Sequence, residues 1–422
     1  MGTPDSTLEP TSQVPSRRRF LKRLVALGAA FVAGAERPAP GQVPSPPAPD
    51  EPWKVLGGPV RPYGERSRFE HATREKSLRL NPDERGGNLT PLDESLGIIT
   101  PSELHFEVQR GGVPDIDPRK HRLMIHGMVE RPVILTLEEI RRLTSVSRIY
   151  FLECAGNTQE EWRRPTMKGV QGTHGLTSCS EWTGVPLSVM LREAGVQKGA
   201  TWIVAEGADA SGNERSIPMA KAMDDILVAY GQNGEALRPE NGYPLGLVVP
   251  GWEGNVSVKW LRRIKVVDKP FMTRMESTAY AILMPDGTAR RFTFVMEAKS
   301  VITFPSGGQR LPDPGFYEIT GLAWSGRGFV RRVEISTDGG RTWRSAKLQE
   351  PVLRFAHTRF RAPWRWDGRE AVLQSRCTDE TGYVQPTLAE LVKVRGLNSR
   401  FHNNGIQSWK VAADGSVHNV HA

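Results

Sequence analysis

The amino-acid sequence predicts an α+β domain of mixed strands and short helices, followed by an immunoglobulin-like β-sandwich. Short β-like runs alternate with short amphipathic helices and Gly/Pro-rich loops over about residues 90–275. After about residue 295, alternating strands recur roughly every ten residues with turn signals between them. The length of 422 residues, with 24% charged and 38% hydrophobic residues, fits an ordinary globular protein of two or three domains.

The amino terminus has the features of an export signal. Residues 16–22 read Ser-Arg-Arg-Arg-Phe-Leu-Lys, an apolar run extends from Leu24 to Ala33, and small residues surround Ala35. This order predicts a twin-arginine signal over residues 1–35 and a periplasmic protein that is exported already folded. Because a membrane span needs about 20 apolar residues, we expect no span in the mature chain.

Charge and cysteine usage exclude several classes of protein. The formal net charge is +9, of which the signal carries a third, and the remaining basic residues alternate with acidic ones. A nucleic-acid-binding face is therefore not expected. The three cysteines include no CxxC pair, so neither a disulfide framework nor a structural zinc site is indicated.

Element signals follow along the chain in order. Nine prolines between Pro38 and Pro62 predict an extended linker over residues 36–64. Thr136 opens a short helix with a capping box, and a second helix runs from Pro186 to a stop at Gly195. Runs of β-branched and aromatic residues predict strands at Ile149–Leu152, Trp202–Ala205, Leu247–Val249 and Val256–Val267.

The second half of the chain follows a different pattern. Tyr317, Ile319, Val333 and Ile335 alternate with polar neighbours, and Ala371–Cys377 gives a further strand. We therefore expect a first domain over residues 65–275, a sandwich over residues 276–395 and a polar tail over residues 396–422.

Cys154 is the cysteine best placed for chemistry. It follows the strand Arg-Ile-Tyr-Phe-Leu-Glu and precedes Ala-Gly-Asn, so the thiol lies where a strand ends in a turn. A thiolate beside backbone amides and cations can act as a nucleophile or as a soft metal ligand, although a buried structural cysteine is the more common case. Cys179 and Cys377 are interpreted as pocket-lining or core residues.

The wider string of motifs resembles the sulfite oxidase family of molybdenum enzymes over about 300 residues. The segments ECAGN, GTHGLTSCSEWTGVPL, RSIPMAKAMDD, YPLGLVVPGWEGNVSVKW and VEISTDGGRTW carry this resemblance. GTHGLTSCSEWTGVPL, FTFVMEAKSVITFPSGGQRLPDPG and NNGIQSWKVAADGSV resemble in particular the molybdenum subunit of sulfane dehydrogenase, from the Sox system of thiosulfate oxidation. The family implies a molybdopterin-binding domain before an immunoglobulin-like dimerisation domain.

The resemblance also implies a cofactor and the residues that bind it. Cys154 would be the metal ligand, and molybdenum would carry one pyranopterin. Matching positions for cofactor binding are Phe106, Glu107, Val108, Gln109, Arg110, Asp209, Asn241, Ser257, Val258 and Lys259. The chain departs from the family at Val108, Gln159 and Gly246, where arginines are usual, and the sequence leaves open which cations replace them. Candidates for holding an anionic sulfur are Arg215, His174 and Arg163.

These matches predict oxidation of sulfane sulfur, carried as a persulfide on a protein, by oxygen-atom transfer. No haem is expected in this chain, so the electrons would pass to a separate c-type cytochrome. A homodimer or heterotetramer through the second domain is expected. The alternatives are a sulfite dehydrogenase acting on free sulfite, a molybdenum reductase of the same fold, a metal-free binding protein and, least favoured, a Cys-His hydrolase.

Overall fold

A computed structural model describes residues 56–77 and 86–422. Contacts divide the chain into two units, residues 1–69 and residues 70–422. In the first unit, residues 56–69 are exposed and contain no helix or strand. The predicted export signal and the linker up to residue 55 lie outside the described residues, so both stay predictions. No helix in the described ranges is long and apolar enough to cross a membrane.

The strands of the first domain form three sheets. They are β1 (Glu75–Lys76), β2 (Gly87–Leu89), β3 (Glu107–Val108), β4 (Arg122–Gly127), β5 (Val133–Thr136), β6 (Val146–Glu153), β7 (Thr177–Pro186), β8 (Trp202–Gly207), β9 (Glu214–Pro218), β10 (Leu227–Gln232), β11 (Glu235–Ala236), β12 (Gly246–Val248) and β13 (Leu261–Val267). The sheet orders are β1-β2-β3, then β11-β10-β7-β6 with β12 beside β10, then β5-β4-β13-β8-β9. Strands β4 and β13 are parallel, and their neighbours are antiparallel.

Short helices connect these strands and cap their buried faces. Within residues 56–77 and 86–422, the α-helices are α1 (Leu137–Arg141), α2 (Val170–His174), α3 (Leu187–Ala194), α4 (Met219–Ala222) and α5 (Leu388–Arg395). The capping box predicted at Thr136 is confirmed, because its hydroxyl accepts from the Glu139 amide and the Glu139 carboxylate accepts from the Thr136 amide. The predicted second helix is also confirmed and ends at Gly195 with φ 70°.

One predicted strand is only partly correct. The run Val256–Val267 was expected to be extended throughout, but Gly254–Val256 is a 3₁₀ turn and β13 begins at Leu261. Trp260, just before it, has φ 54°, a left-handed conformation that interrupts a strand. The turn has a use, because it brings Gly254 and Ser257 to the pocket described below.

The second domain is the predicted sandwich. After the hairpin β14 (Ile282–Leu283) and β15 (Ala289–Arg290), its strands are β16 (Lys299–Phe304), β17 (Gly315–Trp324), β18 (Val330–Ser336), β19 (Arg344–Ser345), β20 (Lys347–Leu348), β21 (Thr358–Trp366), β22 (Ala371–Asp379), β23 (Ser408–Val411) and β24 (Val417–Val420). One sheet has the order β16-β17-β21-β20 and the other β19-β18-β22-β23-β24. Side chains of both sheets bury a common core around Trp324 and Trp409.

The expected polar tail over residues 396–422 is wrong. β23 pairs with β22, and β24 pairs with β23, so the chain end extends a sheet of the sandwich. Trp409, Val411 and Val417 are buried in its core, while polar residues between them hide the alternation in the sequence.

Candidate active site

A pocket that opens to solvent lies where the end of β6 meets four other segments of the chain. Their lining residues lie within 105–110, 211–215, 254–260 and 275–280, which include the short strand β3, the start of β9 and a π-helical turn. Most of the residues that the family resemblance indicated come together here. The predicted site residues that line the pocket are Phe106, Glu107, Val108, Arg110, Cys154, Arg215, Asn241, Ser257 and Lys259.

Three predicted cofactor-binding residues support the pocket without lining it. Val258 is fully buried in the core of the first domain. Gln109 is buried and donates from Nε2 to the carboxylate of the pocket residue Glu107 at 2.9 Å. Asp209 accepts from the Ser211 hydroxyl and the Asn213 amide, and so holds the loop that carries those two pocket residues.

Two of the predicted substrate-holding residues lie elsewhere, which corrects that expectation. His174 ends α2 fully buried, with Nδ1 beside the Thr173 hydroxyl at 2.8 Å. Burial and nearby Lys299 keep its pKa well below the usual value, so the ring is neutral. Arg163 is exposed and donates to the Leu397 carbonyl at a separate surface depression. An imidazole and a guanidinium suit an anionic sulfur chemically, but the fold brings neither His174 nor Arg163 into the Cys154 pocket.

The Cys154 thiol lies at the wall of the pocket because β6 ends one residue earlier. The Cys154 amide donates to the Leu176 carbonyl at 3.0 Å, and its carbonyl accepts from the Asn157 amide at 2.9 Å, which closes a tight turn. A Cβ on Gly254 would come within 3.0 Å of the Glu153 carbonyl, so a larger residue there would crowd the turn. Cys154 is partly exposed and forms no disulfide. The turn thus presents the sulfur to the pocket.

The other two cysteines belong to the core, as interpreted for Cys377, whereas of the two alternatives for Cys179 the pocket-lining one is wrong. Cys179 is fully buried in β7, and burial raises its pKa to about 12. Cys377 is fully buried in β22, and burial raises its pKa further. Neither lines the pocket, so Cys154 is the thiol available to a ligand there.

Among the described residues, the cations that line the pocket are Arg110, Arg215 and Lys259. Lys259 donates to the Glu240 carbonyl at 2.9 Å and lies 5.0 Å from the Trp260 ring centre. Desolvation lowers its pKa to about 8 despite nearby acids. The Arg215 guanidinium is held by Nε donating to Asn255 Oδ1 at 2.9 Å and by Nη1 donating to the Glu214 carbonyl at 2.7 Å.

Tyr280 is the most informative pocket residue that the sequence did not indicate. Its ring stacks on Phe401 with centres 5.1 Å apart, and the Arg215 guanidinium lies 4.9 Å from the ring centre on the pocket side. Burial, and then the nearby Cys154, raise its pKa to about 12, so the hydroxyl stays protonated. No local motif marks Tyr280, because it directly follows a single π-helical turn, Met275–Ala279, far along the chain from Cys154. Other pocket residues not predicted are His105, Leu152, Trp182, Ser211, Asn213, Gly254, Asn255, Trp260 and Met275.

The donor set suits a pterin with an anionic tail and a thiolate-bound metal. His105 donates from Nδ1 to the Phe106 carbonyl at 2.8 Å, so its buried Nε2 is an acceptor, and that atom has no partner. Burial lowers the His105 pKa to about 4, which keeps the ring neutral. The buried Asn255 Nδ2 also has no partner. Unsatisfied buried groups beside Cys154 and three cations are what a polar, anionic cofactor would satisfy.

Comparisons with known proteins agree with this site. The family described as "Oxidoreductase molybdopterin binding domain" matches residues 110–275, and "Mo-co oxidoreductase dimerisation domain" matches residues 290–409. Chicken sulfite oxidase is 32% identical over 354 residues, covering 77% of this chain and 77% of that protein. Mouse mitochondrial sulfite oxidase is 30% identical over 370 residues, covering 79% of this chain, which spans 66% of the mouse protein.

A solved structure gives a stronger match. The sulfane dehydrogenase SoxCD from Paracoccus pantotrophus aligns with a TM-score of 0.86 and 45% sequence identity, over 92% of this chain and all of the matched chain. The pocket with its cysteine and the two matched domains therefore indicate the same family. The chain belongs to the sulfite oxidase family of molybdopterin-dependent oxidoreductases.

Proposed function

We propose that this chain is an exported enzyme that oxidises sulfane sulfur, presented as a persulfide on a carrier protein, and passes the electrons to a c-type cytochrome. The observation that carries the proposal is the pocket at Cys154, in a chain 45% identical to the sulfane dehydrogenase SoxCD over 92% of its length. When bound, a molybdenum centre with one pyranopterin supplies oxygen-atom transfer with two electrons.

Different residues of the pocket would bind different parts of such a cofactor. Cys154 offers a thiolate to the metal at the end of β6. Arg110 and Lys259 provide positive charge for a phosphate, and the His105 Nε2 lone pair can accept a hydrogen bond from a pterin N–H group. Trp182 and Trp260 add aromatic surface to the same walls.

Arg215 and Tyr280 are the residues that we assign to an anionic sulfur group. The two hydrogen bonds of Arg215 use Nε and Nη1, and neither uses Nη2. The Tyr280 hydroxyl keeps its proton over the whole physiological range, because its pKa is raised to about 12, and can therefore donate a hydrogen bond. A fixed cation beside a fixed donor favours a negatively charged terminal sulfur over a neutral thioether.

Free sulfite is the second candidate substrate. The match to animal sulfite oxidases supports it, and Arg110 with Arg215 could hold a small dianion. The two candidates separate in one assay, in which purified enzyme reduces a c-type cytochrome with either carrier-bound sulfane sulfur or sulfite. We expect saturable turnover with the carrier-bound sulfur and at most slow turnover with sulfite. Efficient turnover on sulfite alone would overturn the preferred substrate.

Export by the twin-arginine route is part of the proposal and is tested separately. Replacing Arg17 and Arg18 together by lysine removes the paired arginines and keeps the charge. We expect the variant to stay in the cytoplasm, measured by cell fractionation, while the unaltered chain appears in the periplasm. Equal amounts in the periplasm would contradict this route.

A further inference from the structure

A single ammonium group from the second domain contacts both sides of the turn that carries Cys154. Lys299 Nζ, at the start of β16, lies 2.6 Å from Glu153 Oε1, just before the cysteine. The same Nζ lies 3.5 Å from Thr158 Oγ1, just after the turn. Thr158 has φ 68°, so the chain leaves the turn in a left-handed conformation at this contact.

Other groups fix the same turn. The Glu153 carboxylate also accepts from the Trp324 indole at 2.7 Å and from Asn157 Nδ2 at 2.9 Å. The His402 amide donates to the Ala155 carbonyl at 2.8 Å, and Asn403 Nδ2 donates to the Thr158 carbonyl at 3.1 Å. Lys299, Trp324, His402 and Asn403 all lie in the part of the chain that matches the dimerisation domain. The metal-ligand turn of the first domain is therefore held largely by the second.

The ion pair at the centre of this arrangement is costly to bury. The Lys299 and Glu153 side chains are 1% and 0% exposed. The free-energy cost of removing two charges from water therefore offsets most or all of their electrostatic attraction. Replacing such a pair by neutral groups of similar size often leaves stability unchanged. What the pair supplies is geometry, because Lys299 Nζ contacts residues on both sides of Cys154, closely at Glu153 and more loosely at Thr158, and these contacts limit where the sulfur can lie.

We propose that Lys299 is a positioning residue for Cys154, through which the second domain sets the place of the thiol in the pocket. The proposal deepens the function proposed above, since it concerns the same site. It assigns to the sandwich a role in the geometry of the active site in addition to assembly.

The test uses the double variant Glu153→Gln with Lys299→Met, because Lys299→Met alone leaves a buried carboxylate without its cation. The matched control is Glu297→Gln with Arg327→Met, a partly exposed pair of the same domain with no contact to the turn. Both double variants remove one positive and one negative charge.

The first measurement is the rate at which a small alkylating reagent modifies Cys154 in the full-length chain produced without molybdenum. Cys179 and Cys377 are fully buried, so alkylation of the folded chain measures the accessibility of Cys154. We expect alkylation about threefold faster or more in the Glu153/Lys299 variant, because a loosened turn opens more often. The control variant is expected to react at the wild-type rate. Thr158→Val, which removes only the hydroxyl contact, should react faster by a smaller factor.

A wild-type alkylation rate in the folded double variant, or in Thr158→Val if the double variant does not fold, overturns the proposal. In the molybdenum-loaded enzyme we expect a lower kcat at unchanged KM, as for a displaced reaction centre with an intact substrate site. The thiol measurement needs neither molybdenum nor substrate. It therefore succeeds or fails independently of the proposed function.

Discussion

Tyr280 and Arg215 form a fixed pair at the wall of the pocket. The tyrosine ring stacks on Phe401 and lies under the Arg215 guanidinium, so two contacts set its orientation. Stacking needs only the ring, whereas binding an anion needs the hydroxyl. Removing the hydroxyl oxygen alone should therefore affect anion binding and leave the stacking intact.

Tyr280→Phe keeps the stacked ring and removes the donor. A hydrogen bond to a charged group contributes about 1.5–3 kcal/mol, so we expect kcat/KM for the anionic sulfur substrate to fall about 10- to 100-fold. Molybdenum content and Tm should stay at wild-type values. The control is Tyr317→Phe, whose exposed hydroxyl donates to the Asp313 carbonyl in the sandwich. Unchanged kcat/KM in Tyr280→Phe would show that the hydroxyl does not contact substrate.

We expect anion binding in the pocket to depend on pH through Lys259. Burial lowers its pKa to about 8, below the usual 10.5, so the folded chain loses this charge before the unfolded chain does. Between these two values the unfolded state binds more protons, and the Lys259 contribution to stability rises with pH. Over the same range the pocket loses a cation. We therefore expect anions to bind more weakly above about pH 8.

Sulfate is a suitable probe because its charge does not change between pH 6 and 10. The rise in Tm that sulfate causes in the metal-free chain should be larger at pH 7 than at pH 9. Lys259→Met should reduce the rise at pH 7 and remove most of the difference. If the sulfate-induced rise in Tm still depends on pH in Lys259→Met, another group causes that dependence.

At the scale of elements, the last strands of the chain belong to the sandwich core. Trp409 in β23 is fully buried, and its indole donates to the Ile302 carbonyl at 3.0 Å. Trp409→Ala should lower the free energy of unfolding by about 3–5 kcal/mol, as for other buried tryptophans. Denaturant unfolding followed by fluorescence measures this. A loss below about 1 kcal/mol would mean that β23 and β24 add little to the core.

Local signals explain which elements could be predicted. The capping box at Thr136 and the stop at Gly195 are set by neighbouring residues, so the sequence alone located α1 and α3. The end strands were missed because their buried residues alternate with polar ones in a segment of low hydropathy. The start of β13 was misplaced because a left-handed Trp260 leaves no mark in an apolar run.

Site residues in local motifs could likewise be predicted, whereas those that depend on tertiary contacts could not. Cys154 and the loop Phe106–Arg110 lie in contiguous motifs, and the structure brings them to one pocket. Residue type alone indicated His174 and Arg163, but tertiary packing places His174 in the core and Arg163 on the surface. Tyr280 and Lys299 act across more than a hundred residues of chain, and no local pattern encodes such contacts.

At the scale of the whole molecule, the second domain is expected to form an oligomer. Residues 290–409 match a family described as a dimerisation domain, and the solved relative SoxCD carries the same fold. Light scattering after size exclusion should give twice the mass of the mature chain for the purified protein alone. A mass of one chain at micromolar concentration would contradict a homodimer.

Molybdenum is expected to bind in the Cys154 pocket with that thiolate as its protein ligand. X-ray absorption at the molybdenum edge measures this most directly, by comparing wild-type enzyme with Cys154→Ser. We expect one sulfur neighbour fewer in the variant, with loss of turnover and an unchanged fold by circular dichroism. Cys377→Ala, in the sandwich core, should keep the wild-type spectrum. The same number of sulfur neighbours in wild type and Cys154→Ser would contradict the claim.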